Sequence, residues 1–443
     1  MNQQTIRFKD TITIGLMLFA LFFGAGNLVF PPMLGQNAGD QIWLANLGFL
    51  MTGVGLPLLA TLAFGFSGSK DLLSLTSRVH PWFAVCYTTL LYLSIGPLFA
   101  LPRTGSVSFE IGLKPYFPAE YQHVGLAVFT VLFFGVTLIF SLNPAKMVDI
   151  VGKMLTPALI AFIALLAAAS FAAPMGDPVQ PAGDYGSRAF SNGFQEGYLT
   201  MDALAAFVFG IIVIEAIRAK GGEGRKSMLL VCFQAALIAA AILAAIYSSL
   251  AYIGATSVSS LGHLENGGQV LNQVSSHYFG TFGGLVLGII VLLACLTTSI
   301  GLTTSCSSYF HKLLPGISYR NFCIILCVVS GLAANVGLNA LIQFSAPVLT
   351  ILYPLAIVLV ILTFLHHVFG GKRSVYVISL LPTFLISLVD GLSGTALELE
   401  GLHRLFSETI PFFESGLGWL LPAFAGALIG SLLPQISKQT PRV

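Results

Sequence analysis

The sequence predicts an all-α polytopic membrane protein with twelve transmembrane helices, and three observations carry that prediction. Of the 443 residues, 56% are hydrophobic and only 9% are charged, against roughly a quarter charged in an ordinary soluble domain. The apolar residues fall into long runs, and about 20 apolar residues in a helix span a bilayer. The basic residues collect on one side of those runs. With 20 Lys and Arg against 18 Asp and Glu, there is too little charge to coat a soluble surface. A soluble enzyme, a nucleic-acid binder and a secreted disulfide scaffold are therefore excluded.

Breaks at charged residues and at Gly, Pro and Asn place the spans at about 11–38, 42–65, 82–111, 121–141, 148–173, 196–217, 228–254, 281–310, 321–338, 345–366, 374–392 and 416–434. The longest stretches between them, near 174–195, 255–280 and 393–415, are too short for a soluble domain, so function is expected within the membrane. An even count with a cytoplasmic N-terminus puts 16 of the 20 basic residues inside, among them Arg7, Lys9, Lys70, Arg78, Lys146, Lys220, Arg373, Lys438 and Arg442. Lys114, Arg188 and Arg404 fall outside and Arg103 falls within a span, while Glu120, Asp184, Glu265, Glu408 and Glu414 gather on the outer side. Both termini are expected in the cytoplasm. Met1–Asp10 is short and polar and runs into an apolar stretch too long for a signal-peptide core, so the first helix is expected to be retained. The six cysteines all lie in apolar runs, without the His or carboxylate neighbours of a metal site, and read as packing residues.

Spans one to five cover residues 1–173 and spans six to ten cover 194–366. Two blocks of similar length and odd crossing number form an inverted repeat, and residues 374–443 add two further spans and a tail. Transporters of that architecture bind substrate where helices of corresponding rank are broken. Span one reads Phe22-Phe23-Gly24-Ala25-Gly26-Asn27 and continues to Phe30-Pro31-Pro32. Span six reads Phe207-Val208-Phe209-Gly210, and Gly210 is the expected second break. Close packing through small residues is the competing account of both.

A break at Gly24–Asn27 frees backbone N–H groups at the positive end of a half-helix, which suits a carboxylate. Gly24, Ala25, Gly26, Asn27, Phe207, Phe209 and Gly210 are therefore the candidate substrate residues. Freed carbonyls at Ala20 and Phe23 suit a small cation, and span eight offers Ala294, Thr297 and Thr298 as further neutral oxygen ligands. Such a set matches a monovalent ion better than Mg²⁺ or Ca²⁺, which favour carboxylates. The competing account is that these hydroxyls bond only their own helix. Charged groups at membrane depth are costly and mark pathways. Arg103 and Asp202 are expected to form a pair closing the outer vestibule, with Glu215 a further gate candidate or a plain helix-end group. No histidine lies at mid-span and no P-loop motif occurs. Gly391-Leu392-Ser393-Gly394 reads as a turn, and there is no filter sequence or charged ring of a channel.

The segments Phe22–Asn27 with Phe30-Pro31-Pro32, Gly96-Pro97-Leu98-Phe99-Ala100 with Pro102-Arg103-Thr104, Asn192-Gly193-Phe194 with Gly197–Asp202, Ala294–Thr297 and Pro347–Thr350 resemble the BrnQ-type branched-chain amino acid carriers of the amino acid–polyamine–organocation superfamily. The resemblance runs over essentially the whole chain. It implies a leucine-transporter (LeuT) fold of five-plus-five inverted repeats and a bacterial cytoplasmic-membrane symporter of leucine, isoleucine and valine with Na⁺. It further implies that Ala25 and Gly26 hold the carboxylate, and that Ala20, Phe23, Ala294, Thr297 and Thr298 share one sodium, with Asn27 a ligand for any second. The expected partners are the small-molecule substrate and membrane lipid, with no nucleic acid, no organic cofactor and no enzymatic activity. The alternative is a proton-coupled or uncoupled permease for another apolar amino acid, with Asp202 or Glu215 carrying the proton.

Overall fold

A computed structural model describes residues 7–69, 71–142, 147–220 and 225–434. The expected cytoplasmic ends, and with them Lys70, Lys146, Lys438 and Arg442, lie outside the described residues. All regular structure among the described residues is helical.

The first expected span is two helices, α1 (Phe8–Phe22) and α2 (Ala25–Ala38), joined by two extended residues, Phe23 at φ −71°, ψ 99° and Gly24 at φ −129°, ψ −162°. After a turn at Gly39 (φ 51°), α3 (Ile42–Leu50) and α4 (Leu56–Ser67) form the second, wound wider between them at Met51–Gly55. The short α5 (Leu72–Thr76) leads to α6 (Pro81–Leu93) and α7 (Ala100–Gly112), kinked at Gly96, Pro97 and Phe99 because proline removes an N–H and clashes with the preceding turn. Next come α8 (Gln122–Ser141) and α9 (Met147–Ala172).

In the second half, α10 (Tyr185–Glu196) precedes a tight turn at Gly197–Thr200, and α11 (Asp202–Ala219) follows. The remaining helices are α12 (Arg225–Leu261), α13 (Gly267–Leu313), α14 (Tyr319–Ala334), α15 (Leu338–Phe364), α16 (Arg373–Leu392), α17 (Glu400–Thr409) and α18 (Leu420–Leu432). Gly280, at φ 62°, divides α13 into a first segment, 267–279, and the long apolar run that follows.

Among the described residues, seven helical stretches are long and apolar enough to cross a membrane. They are Ala25–Ser67, Pro81–Gly112, Ala119–Ser141, Ser227–Leu261, Gly267–Leu313, Leu338–Phe364 and Arg373–Leu392, with shorter apolar helices at Pro157–Ala172, Tyr319–Ala334 and Leu420–Leu432. The first expected span is cut short by its break, and α11 carries Asp202, Glu215 and Arg218. Large apolar side chains such as Val131, Leu132, Phe282 and Leu332 face outward, as lipid contact requires.

Lipid removes the hydrophobic drive between helices, so close packing must hold them together. The core contact is α2 on α12, where Gly35 and Gly254 let the backbones touch. A Cβ on Gly254 would lie 2.0 Å from the Pro32 carbonyl oxygen, and one on Gly35 would lie 1.9 Å from that of Ala251. Residues assigned by charge to the same side meet: Lys220 pairs with Asp10 at 3.1 Å and Arg373 Nε donates to the Val79 carbonyl at 2.6 Å. On the side assigned as outer, Arg188 pairs with Glu414 at 2.6 Å.

The first segment of α13 is latched to α7 by Glu110, a buried carboxylate. Its Oε1 accepts from Lys114 Nζ at 2.7 Å, and from Asn266 Nδ2 and Gln269 Nε2 at 3.0 Å each. Removing this shared acceptor cuts the link between α7 and the segment, leaving the side-chain N–H groups of Asn266 and Gln269 only their bonds to Asn339 and Glu265, at about 1 kcal/mol for each hydrogen bond lost. Glu110→Ala is therefore expected to loosen residues 267–279, read as faster backbone hydrogen exchange there with α16 and α18 unchanged.

Candidate substrate and ion site

The break in the first span creates the site. In a continuous helix the Gly24 N–H would bond the Ala20 carbonyl; here it donates to Asn27 Oδ1 at 2.8 Å. That leaves the Ala20 carbonyl at the end of α1, and the first residues of α2, whose N–H groups have no partner within the helix, line a cavity. Gly24, Ala25, Gly26 and Asn27 all line this cavity, with Phe209 from α11 and Thr298 from α13. Leu21, Ile95, Ala205 and Leu302 complete an aliphatic wall.

The second break is not at Gly210. α11 runs unbroken through that residue, and the chain departs from helix just before it, with Met201 in the left-handed region at φ 63°. Gly210 instead makes room for an aromatic ring: a Cβ there would lie 2.7 Å from Phe64 Cδ2. Phe207 also turns to Phe64, with ring centroids 6.1 Å apart, so neither residue belongs to the cavity wall. Small-residue packing wins at Gly210 because the chain departs from helix at the tight turn Gly197–Thr200, whose Tyr198 stacks on Tyr353 with ring centroids 4.5 Å apart.

Arg103 and Asp202 are both buried and both line the cavity, but they do not form the expected gate pair. Arg103 Nη1 donates to the Leu199 carbonyl at 2.7 Å and Nη2 to that of Thr200 at 3.2 Å, holding the tight turn, and the guanidinium lies 5.1 Å over the Phe30 ring. Asp202 Oδ2 accepts from Asn27 Nδ2 at 2.6 Å and from Tyr247 Oη at 2.7 Å, and Asn27 Nδ2 also meets Tyr247 Oη. Each charge thus bonds other groups and not its opposite: Arg103 the carbonyls of the second break, Asp202 the Asn27 amide of the first and Tyr247 of α12. Glu215 is exposed on α11 and away from the cavity, so its place as a gate falls.

Of the ion candidates, Thr298 comes closest to the break: a Cβ on Gly24 would lie 3.1 Å from Thr298 Cγ2 and 3.3 Å from its Oγ1. Thr297 Oγ1 and Thr298 Oγ1 both donate to the Ala294 carbonyl, at 2.7 and 3.1 Å. This is the ordinary back-bond of a hydroxyl in a membrane helix, and it leaves the hydroxyl lone pairs available to a cation. Phe23 is buried, Ala20 half-buried, and neither these two nor Ala294 and Thr297 line the cavity. No cluster of three or more His, Cys, Asp or Glu side chains that could hold a metal ion exists among the described residues; beside the break the nearest oxygens from α13 are the neutral ones of Thr298 and the Ala294 carbonyl it bonds.

Tyr247 and the carbonyls of the Leu199–Met201 turn are partners of the cavity residues Asp202 and Arg103 that were not among the sequence candidates. Tyr247 is one hydroxyl in a long apolar run; only the need of a buried phenol for a partner hinted at it. The signal for the turn is Asp202 itself, an acidic residue in the first turn of α11 directly after Met201.

The family described as branched-chain amino acid transport protein matches residues 7–437. The branched-chain amino acid permease BrnQ of Bacillus subtilis (strain 168) is 56% identical over 429 residues, which is 97% of this chain and 98% of that one. The branched-chain amino acid transport system 2 carrier protein of Pseudomonas aeruginosa is 42% identical over 93% of each chain. Among solved structures, Mhp1 closed on bromovinylhydantoin aligns with a TM-score of 0.61 at 12% identity over 97% of this chain and 94% of that one. MhsT in complex with L-phenylalanine aligns at 0.58 and 16%, over 94% and 98%. These two transporters carry the LeuT-type fold, and this chain shares it. Across the length of the chain the match is to transport proteins and not to enzymes, and the chain belongs to the branched-chain amino acid transport protein family.

Proposed function

We propose that the chain is a secondary active transporter that imports leucine, isoleucine and valine together with Na⁺ across the bacterial cytoplasmic membrane by alternating access. The observation that carries this is the broken first span with Thr298 set against it. An anion-seeking helix N-terminus and a cation-seeking carbonyl end lie two residues apart, so substrate and ion sites share one hinge. The printed names of the relatives supply the substrate class.

Na⁺ between Ala20, Phe23, Ala294, Thr297 and Thr298 steadies the arrangement in which α1 and α13 touch. The amino acid then seats its carboxylate on the N–H groups of Ala25 and Gly26 and its side chain against Ile95, Ala205, Phe209 and Leu302. Rocking of one helix group against the other opens the site to the cytoplasm, where low Na⁺ releases both. Twelve crossings, two inverted five-helix repeats at 1–173 and 194–366, and cytoplasmic termini complete the reading. Selectivity among the three substrates is weak, because one methylene in an apolar pocket changes binding by about 1–3 kcal/mol.

The test is uptake in proteoliposomes. Labelled leucine accumulates under an inward Na⁺ gradient, and Thr298→Ala raises the Na⁺ concentration for half-maximal uptake by roughly 10-fold or more, the loss of one ion-directed oxygen. A second reading, proton-coupled transport, is favoured by the buried carboxylate of Asp202 in the cavity wall. Accumulation driven by a pH gradient without Na⁺ would establish it and overturn sodium coupling.

A further inference from the structure

The cavity wall contains two charged side chains, one of each sign, Arg103 and Asp202. Both are buried, 3% and 2% exposed. A full charge in such surroundings is expensive, and two opposite charges so placed would be expected to pair. They form no ion pair with each other: Arg103 is tied to the Leu199 and Thr200 carbonyls, and Asp202 to Asn27 and Tyr247. Structural needs leave the guanidinium incompletely used. Its Nε, fully buried, has no hydrogen-bond partner. Both groups converge on the first turn of α2. A Cβ on Gly26 would lie 2.7 Å from Arg103 Nη2, and Asn27, the next residue, bonds Asp202.

We propose that Arg103 and Asp202 are the two poles that recognise a zwitterion: Arg103, beside the N–H groups of Ala25 and Gly26, takes the α-carboxylate, and Asp202 takes the α-ammonium. The assignment rests on the reading of this cavity as an amino-acid site, and it deepens that reading by naming what selects a free α-amino acid over an amine or an acid of the same shape. A zwitterion brings no net charge into the bilayer, and each of its ends meets a group of opposite sign that is already desolvated. The neutral aliphatic wall then has only the side chain to accommodate. A charge-assisted contact of this kind is shorter and stronger than one from a backbone N–H alone, so the two charged groups set the discrimination at the α-carbon.

The experiment is binding to the purified full-length protein in detergent with Na⁺ present. Three probes of one shape are used: leucine, leucinamide (carboxylate neutralised) and 4-methylpentanoate (ammonium removed). Wild type binds leucine tighter than either analogue by roughly 100-fold. In Arg103→Gln the leucine-to-leucinamide ratio falls to about 5-fold or less while the leucine-to-4-methylpentanoate ratio holds. Asp202→Asn does the reverse. Because Arg103 also braces the Leu199–Thr200 turn, Arg103→Lys, which keeps the cation, is the second variant and gives an intermediate ratio. A folded Arg103 variant with the wild-type leucine-to-leucinamide ratio overturns the assignment, as does wild type binding leucine and leucinamide equally, a result that needs no variant. Wild type that binds no leucine at all overturns the transport reading, and this assignment with it; that outcome is distinct, because the first two leave leucine binding in place.

Discussion

Gly26→Val is expected to abolish leucine uptake in a protein that still purifies as a single monodisperse species. A Cβ at this position would sit 2.7 Å from Arg103 Nη2, 3.1 Å from its Cζ and 3.2 Å from the Thr200 carbonyl oxygen. The flexible guanidinium can yield to the intruding methyls; the Thr200 carbonyl, part of the tight turn at Gly197–Thr200, yields far less. Valine therefore fills the space beside the α2 N-terminus and displaces Arg103 from the two carbonyls it holds. Overpacking of this degree costs about 1–3 kcal/mol in stability, which a large helical bundle tolerates. For function the displacement is far worse, because misplacing a binding group by an ångström loses roughly 100-fold in rate. Uptake per molecule of reconstituted protein is the readout. Uptake within a few-fold of wild type would show that Gly26 does not form part of the substrate path.

Gly254→Leu is expected to prevent assembly altogether. The clash is between backbones: the added Cβ would fall 2.0 Å from the Pro32 oxygen and 2.8 Å from its carbonyl carbon. No rotamer relieves that contact, and the same interface is as tight one helical step away, where a Cβ on Gly35 would lie 1.9 Å from the Ala251 oxygen, while on α13 a Cβ on Gly267 would lie 1.9 Å from the Val29 oxygen of α2. Helix association in lipid rests on such close approach. The protein should be lost to aggregation, or its apparent melting temperature should fall by about 10 °C or more. Gly135→Ala is the matched control. Nothing lies within 4 Å of a Cβ there, in α8, and alanine is the better helix former by about 1 kcal/mol. A normal melting curve for Gly254→Leu would overturn the account of the α2–α12 contact.

Much of the site was legible in the sequence. Two glycines followed by an asparagine in mid-membrane, with prolines beyond, have few structural uses, and Gly24–Asn27 does form the broken segment. Thr297 and Thr298 were recognisable as hydroxyls at mid-span, but they belong to a run that includes Ser299, Thr303 and Thr304, and only the packing shows that it is Thr298 that comes to rest against Gly24. Gly210 misled for the converse reason: one glycine in an apolar run can break a helix or admit a neighbour's ring, and the residue that decides, Phe64, lies some 150 positions away. Arg103 and Asp202 were picked out by their charge, yet their partners were backbone carbonyls and a tyrosine on other helices, which no local pattern encodes.

The sequence by itself determined the class of molecule, because a 9% charged chain has only the bilayer as a compatible solvent, and hydropathy and charge are sums over residues that need no fold. It likewise determined the first helix break, since the freedom of Gly24 and the reach of the Asn27 side chain back to its N–H are local properties of the chain. What only the tertiary structure decided was which groups face which. Met201 takes a left-handed conformation because the turn is braced by Arg103 from another helix. Asp202 turns to Asn27 and Tyr247, rather than to the one cation in the cavity wall, because each break presents its own unsatisfied backbone and side-chain partners. In a medium without water every such group must find its partner within the protein, and that pairing is settled by the packing of the whole bundle.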